Sequence, residues 1–293
     1  MPTFRCWITY ALAACAVATA ACADADRGAA AMRPSIRLSR NPVPLGGPVD
    51  VTLQFDVPPG IPPFAEDYRV LLRFLFDDGE VMASYDHDPP TPTRKWQSGT
   101  TVMYTRRLFV PAIPYVGDAP ILVGLYSPAS GERLHLSGKD QGKQTYKMGT
   151  LTLQAPRCLL FFNKGWYRTE ESAATHTEWR WTQSEASITT ENPRQDSVLY
   201  LRVDGRPDLF ETPQQVSVSR GDRILQRFSV ASGETTDHEL ALNAGDLGVE
   251  DELTLTLKVD KTFVPAWLPG QGSDTRTLGI RVYNASLEPR SQP

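Results

Sequence analysis

The feature that most constrains this chain is a period-two alternation of apolar and polar residues. In "VDVTLQFDV" (residues 49–57), Val49, Val51, Leu53, Phe55 and Val57 fall on one face and polar side chains on the other. A segment patterned this way makes a strand with one buried face. The texture recurs in "YRVLLRFLF", "TVMYTRRLFVP", "APILVGLYSP" and "YKMGTLTLQ". It returns in "EWRWTQSEASITT", "SVLYLRVDG", "QQVSVSRGDRILQRFSV", "HELALN", "ELTLTLKVDKTFVP" and "TLGIRVYNASLEP". Asp78-Gly79 and the Gly221 of "RGD" stand where tight hairpins need residues at positive φ. One-faced strands must cover one another, and no long helical pattern offers another cover. The expected fold is all-β: two tandem antiparallel immunoglobulin-like or jelly-roll-type β-sandwiches, at 35–155 and 156–290, joined at "APRC".

The N-terminus reads differently. Arg5 precedes the apolar run "CWITYALAACAVATAA", which is followed by polar "DADRG", the pattern of an export signal and too short for a convincing span. Of four cysteines, Cys6, Cys15 and Cys22 lie there and only Cys158 lies in the body, so the cores must hold the fold without an intramolecular disulfide. "LAAC" and "TAAC" both resemble the bacterial lipobox. The expectation is a signal peptide and lipobox over 1–22, acylated at Cys22 (or Cys15), then a small-residue tether over 23–34. Cleavage after "ACA" to leave a free protein is the alternative. Either way the protein is exported, to the periplasm or the cell surface, and the lipid anchor of the acylated form is its only membrane contact. A formal charge of −4 argues against a nucleic-acid surface, which needs a clustered basic face.

The densest chemistry is "GWYRTEESAATHTEWRW", residues 165–181. Flat aromatic faces take the apolar C–H face of a sugar ring, and carboxylates, Arg and Asn grip hydroxyls. Candidate binding residues here are Trp166, Tyr167, Glu170 and Arg180. From the "SDTRTLG" segment Asp274 and Arg276 join them, able to pair as Glu170–Arg276 or Asp274–Arg180 and tie the opening of the second domain to its close. Alternation in "EWRWT" separates Trp179 and Trp181 from Arg180 and Glu178; the expectation is that the tryptophans pack into the sandwich and Arg180 faces out. Trp96, beside the rigid "DHDPPTP" loop, is the surface candidate of the first half.

No catalytic residue is assigned. There is no G-x-S-x-G elbow or H-E-x-x-H pair, and His87, His135, His176 and His238 are scattered singly. "DHD" (Asp86 to Asp88) alternates across a strand, so no metal site and no cofactor are expected.

The stretch "DYRVLLRFLFDDGEVMASYDHDPPTPTRKWQSGTTV", with "RRLFVP" and "ILVGLYSPASGERLHL", resembles a β-sandwich module of bacterial envelope proteins. The second half, with its "GWY…EWRWT" opening and "DTRTLGIRVY" close, resembles a companion sandwich. Such modules are appended to, or encoded with, membrane glycosyltransferases that modify lipids or polysaccharides. The resemblance covers about residues 40–290 and implies an envelope setting and glycans; the multi-span transferase body is missing, so no transferase activity carries over. The expected function is therefore a non-catalytic envelope lipoprotein that contacts envelope polysaccharide or its assembly proteins. The alternatives are a scaffold that takes protein partners through sheet edges, and a glycan hydrolase.

Overall fold

The computed structural model describes residues 30–173, 175, 177–270 and 272–290. The signal, both lipobox cysteines, the first part of the tether and His176 lie outside them. The regular elements of the described residues are nearly all strands, as the alternation demands, and among the described residues no helix is long and apolar enough to cross a membrane.

The first half contains β1 (Arg33–Leu38), β2 (Val43–Pro44), β3 (Pro48–Asp56), β4 (Arg69–Leu75), β5 (Val81–Ser84), β6 (Thr101–Phe109), β7 (Gly117–Tyr126) and β8 (Tyr146–Gln154). A three-stranded sheet, β1-β3-β6, faces a five-stranded one, β2-β8-β7-β4-β5, in an immunoglobulin-like sandwich. Pairing is antiparallel except where β2 runs parallel to β8, a departure from the purely antiparallel expectation. The Val49–Val57 alternation closes the core as read, with Val51, Leu53 and Phe55 fully buried against Val70, Leu72 and Phe74.

Three readings change here. The tether does not extend to residue 34: Met32 is fully buried, and Ala31 and Met32 are hydrogen-bonded to the backbone of His135 and Ser137. Trp96 is not a surface platform; it is 3% exposed, its ring lies 5.1 Å from Phe55, and its indole N–H donates to the Thr91 carbonyl. In the β4–β5 hairpin only Gly79 takes positive φ, and Phe76 pairs with Glu80 around a three-residue loop, the longer of the common hairpin forms.

The second half contains β9 (Phe161–Phe162), β10 (Glu170–Glu171), β11 (Glu178–Trp181), β12 (Glu185–Glu191), β13 (Ser197–Asp204), β14 (Gln214–Arg220), β15 (Arg223–Val230), β16 (Thr236–Leu242), β17 (Glu252–Val259) and β18 (Arg281–Pro289). The sheet β10-β11-β18-β13-β16 faces β15-β14-β17-β12-β9. Apart from the short β9 and β10, this is the strand order of an eight-stranded jelly roll. Leu199, Leu201 and Val203 from one sheet meet Val216, Val218 and Leu255 from the other.

Buried in the first sandwich, His87 sits between two tyrosines: its Nδ1 lies 2.8 Å from the Tyr85 carbonyl and its Nε2 2.8 Å from the Tyr104 hydroxyl. The carbonyl can only accept, so Nδ1 carries the proton and Nε2 accepts from Tyr104. Burial pushes the His87 pKa down to about 4. The folded state thus stays neutral at this position where the unfolded chain, with its ordinary value of 6.5, takes up a proton. Stability from this group is complete above about pH 6.5 and is lost as pH falls towards about 4. The melting temperature should decline across that window and the His87→Gln variant should decline less steeply; equal slopes would remove His87 as the cause. His238, shifted down by burial in the same direction, leaves a residual slope in the variant.

Candidate functional site

The tryptophans of "EWRW" alternate as expected but occupy the opposite faces from those expected. Arg180 stands opposite Val282, a core residue, and its guanidinium lies 5.0 Å from the Phe162 ring of the facing sheet. Trp181 stands opposite Arg281, so Trp181 and Trp179 are on the outer face. There Trp181, 8% exposed, joins Phe263 and Leu278 in a small separate core, against which Trp179 packs half-buried.

What draws them outward is Arg281. Its guanidinium lies 5.3, 5.5 and 5.6 Å from the rings of Trp179, Trp181 and Tyr283. Below it the Asp204 carboxylate, 2% exposed, accepts two hydrogen bonds from Arg281 (2.7 and 2.6 Å) and one from the Tyr283 hydroxyl (2.8 Å). Burial, and then the Asp204 hydrogen bond and charge, hold the Tyr283 hydroxyl well above its ordinary range, so it remains a donor. A register shift places Arg202 opposite Asn284 and Val203 opposite Val282, leaving Tyr283 as the extra residue of a β-bulge. A bulge puts two consecutive side chains on one face, and Tyr283 and Asn284 both line the outer surface as a result.

This face meets the first sandwich. Arg40 pairs with Glu288, and Arg107, held by Asp50 at 2.8 and 3.0 Å, pairs with Glu239. Arg202 donates to the Arg107 carbonyl at 3.0 Å and lies 4.9 Å from the Phe109 ring. Gly47 sits under this clasp, where any Cβ would collide with the Glu288 carboxylate. Beside the contact opens a cleft of about 1260 Å³. Its wall from the first sandwich carries Tyr85 and Phe109, and its wall from the second carries Glu178, Trp179, Arg202, Arg281, Tyr283 and Asn284.

The residues singled out in the sequence go elsewhere. Trp166 donates its indole N–H to the Ser187 carbonyl (2.8 Å) and packs edge-on against Phe162. Tyr167, Glu170, Asp274 and Arg276 do come together, as a closed staple at one end of the jelly roll. Arg276 donates to Glu170 (2.5 Å) and to Asp274 (2.7 to 3.0 Å) and covers the Tyr167 ring at 5.0 Å. The Asp274–Arg180 alternative is not formed. With its donors so engaged, Arg276 has no fork to offer a ligand. Arg180 lines a smaller adjoining cavity with Trp179 and Tyr283. Asp86 and Asp88 are taken by Arg73 and Arg69, and among the described residues no group of three potential metal ligands stands together.

The cleft left one trace in the sequence: Arg202, with Tyr200 and Asp204 on the same side of the strand, alternates with the core residues Leu199, Leu201 and Val203 of "SVLYLRVDG", marking a second, polar-aromatic face.

No family model matches the chain, and no curated protein matches it. Among solved structures it is similar to the C-terminal CBM6 of a laminarinase from Zobellia galactanivorans, at 11% identity and a TM-score of 0.28, over 45% of this chain and 99% of that one. It is similar to the mixed-linkage glucan utilization locus protein SGBP-B of Bacteroides ovatus, solved with a heptasaccharide, at 11% identity and a TM-score of 0.24. That match covers 85% of this chain and 50% of the other. The C-terminal domain of the Streptococcus pyogenes antigen I/II-family protein AspA matches at 9% identity and a TM-score of 0.28, over 89% of this chain and all of that one. Likenesses this low carry nothing about a ligand, and the fold stands on the strand order.

Removing the Asp204 carboxylate would leave Arg281 uncompensated beneath the aromatic rings. Asp204→Ala should cost about 3–5 kcal/mol in denaturant unfolding and shift tryptophan emission to the red as Trp181 is wetted. A loss below about 1 kcal/mol, the scale of a surface pair, would show that this ion pair does not organise the face.

Proposed function

We propose that the protein is a non-catalytic binding module that takes a glycan in the cleft between its sandwiches. The observation that carries this is the wall itself. The rings of Trp179 and Tyr283, with centroids 6.1 Å apart, offer apolar faces beside Asn284, Glu178 and two arginines, the combination that grips a sugar by its C–H face and its hydroxyls. Binding is favoured over hydrolysis by the lining, which among the described residues holds one carboxylate, Glu178, where a glycosidase needs two across the scissile bond. Trp179→Ala should abolish binding to envelope glycans in calorimetric titration while the fold is kept, with no reducing ends released by either form. Trp267, 81% exposed on the turn Pro265–Trp267 away from the cleft lining, is the control. If Trp267→Ala abolishes binding and Trp179→Ala does not, the cleft is not the site.

The rest of the proposal concerns setting. The two sandwiches, 35–155 and 156–290, are proposed as two domains of an exported lipoprotein, anchored through Cys22 or Cys15 at the periplasmic or outer face of a membrane. The basic-then-apolar N-terminus and the resemblance to envelope modules support this. Incorporation of a fatty-acid analogue should be lost when both cysteines are replaced; incorporation that survives, or none in the native protein, would refute acylation. A second reading has its own observation: β6 is the outer strand of its sheet, with Met103 60% exposed, and a free strand edge can take a partner's strand.

A further inference from the structure

We infer that the ligand of the cleft is an uncharged oligosaccharide; this rests on the glycan reading above and adds the class of glycan. The charges on the wall point to this class. Two guanidinium groups reach it, and each is already neutralised within the protein by a two-point carboxylate contact. Arg281 is held by Asp204 at 2.7 and 2.6 Å, and Arg202 by Asp237 at 2.7 Å to each oxygen. In both contacts Nε and Nη2 make the bonds, so the fork that would clasp a ligand carboxylate or sulfate side-on is occupied. Each arginine keeps Nη1 as a donor without a net charge behind it.

Among the described residues, the remaining charged group on the wall is Glu178, exposed on β11 and in no ion pair. The sum over Arg202, Arg281, Asp204, Asp237 and Glu178 is one negative charge, and Arg180, which shares the adjoining cavity with Glu178 and is in no ion pair among the described residues, brings it to zero. Arg106, also in no ion pair among the described residues, stands opposite Val51 in the β3–β6 ladder. Its register faces the interior of the first sandwich and it is not among the lining residues, although its charge reaches Arg202. An acidic glycan would bring its charge towards Glu178, which offsets Arg180 in the cavity they share, with no net positive charge on the wall to receive it. An uncharged one meets aromatic faces, the Asn284 amide and the two Nη1 donors. At about 1260 Å³ the cleft exceeds the roughly 300–1,000 Å³ of small-ligand pockets, so several sugar units fit and a single one would leave most of it wet.

The test titrates the full exported chain with neutral hexamers (maltohexaose, cellohexaose, laminarihexaose), acidic hexamers of galacturonate and mannuronate, and the chitosan hexamer. At least one neutral hexamer should bind, with affinity unchanged between low and high salt. The uronates should be about tenfold weaker or worse, which is about 1.4 kcal/mol. Glu178→Gln, a change at an exposed position that leaves the fold alone, should narrow that gap. Tighter binding of a uronate or of chitosan, lost in Trp179→Ala, would overturn the neutral class and leave the glycan cleft standing. If no hexamer binds, or binding is indifferent to both Trp179→Ala and Glu178→Gln, the cleft reading falls and this inference with it.

Discussion

A carboxylate almost sealed from water on the outer face of a sheet must be neutralised and covered, because an ionised group without partners is expensive to bury. Asp204 meets both demands through Arg281, directly across the strand pair, and through the Tyr283 hydroxyl. Arg281 in turn is sheathed by aromatic rings, and cation–π contact favours Trp above other partners. Trp179 and Trp181 are therefore drawn to the outside of the sandwich. The second sandwich acquires an outer face that is aromatic and polar at once, where an ordinary antiparallel sheet would show charged side chains to solvent.

That face becomes a wall because the first sandwich is held against it. The clasp is polar: Arg40 with Glu288, Arg107 with Glu239, and Arg202 reaching the Arg107 carbonyl over the Phe109 ring. Arg202 belongs to the clasp and to the cleft together, so the geometry of the cavity follows from the contact between domains. A side chain at Gly47 would meet the Glu288 carboxylate and have to displace it from the pair with Arg40. Polar contacts of this kind suit an interface between two sandwiches that each have their own core.

How much was legible from the sequence depended on the range of the interaction. Period two in Val49–Val57 reports burial residue by residue, and those positions are buried. Gly79 and Gly221 report their turns because positive φ is a local property. For "EWRW" the same period separates Trp from Arg but holds no information about which set faces in; that was decided by Arg281, a hundred residues later in the chain. Trp96 misled for a similar reason. Its neighbours are loop residues, but its ring fills space beside Phe55. The Tyr167, Glu170, Asp274 and Arg276 group was recognisable as a set because opposite charges at the two ends of a sandwich meet. Its saturation by internal hydrogen bonds was not recognisable, because counting donors requires the geometry.

The sequence by itself determined an all-β chain of two one-faced strand sets, the places of its turns and the polar character of alternate positions, all consequences of backbone pleat and φ preference acting over a few residues. Only the tertiary structure decided the jelly-roll order of the second half, the bulge that aligns Tyr283 with Asn284, and the outward turn of Trp179 and Trp181. It alone placed a cleft between the sandwiches. Those features depend on pairings between strands far apart in the chain, and a strand's pattern of apolar residues says that one face is covered without saying by what.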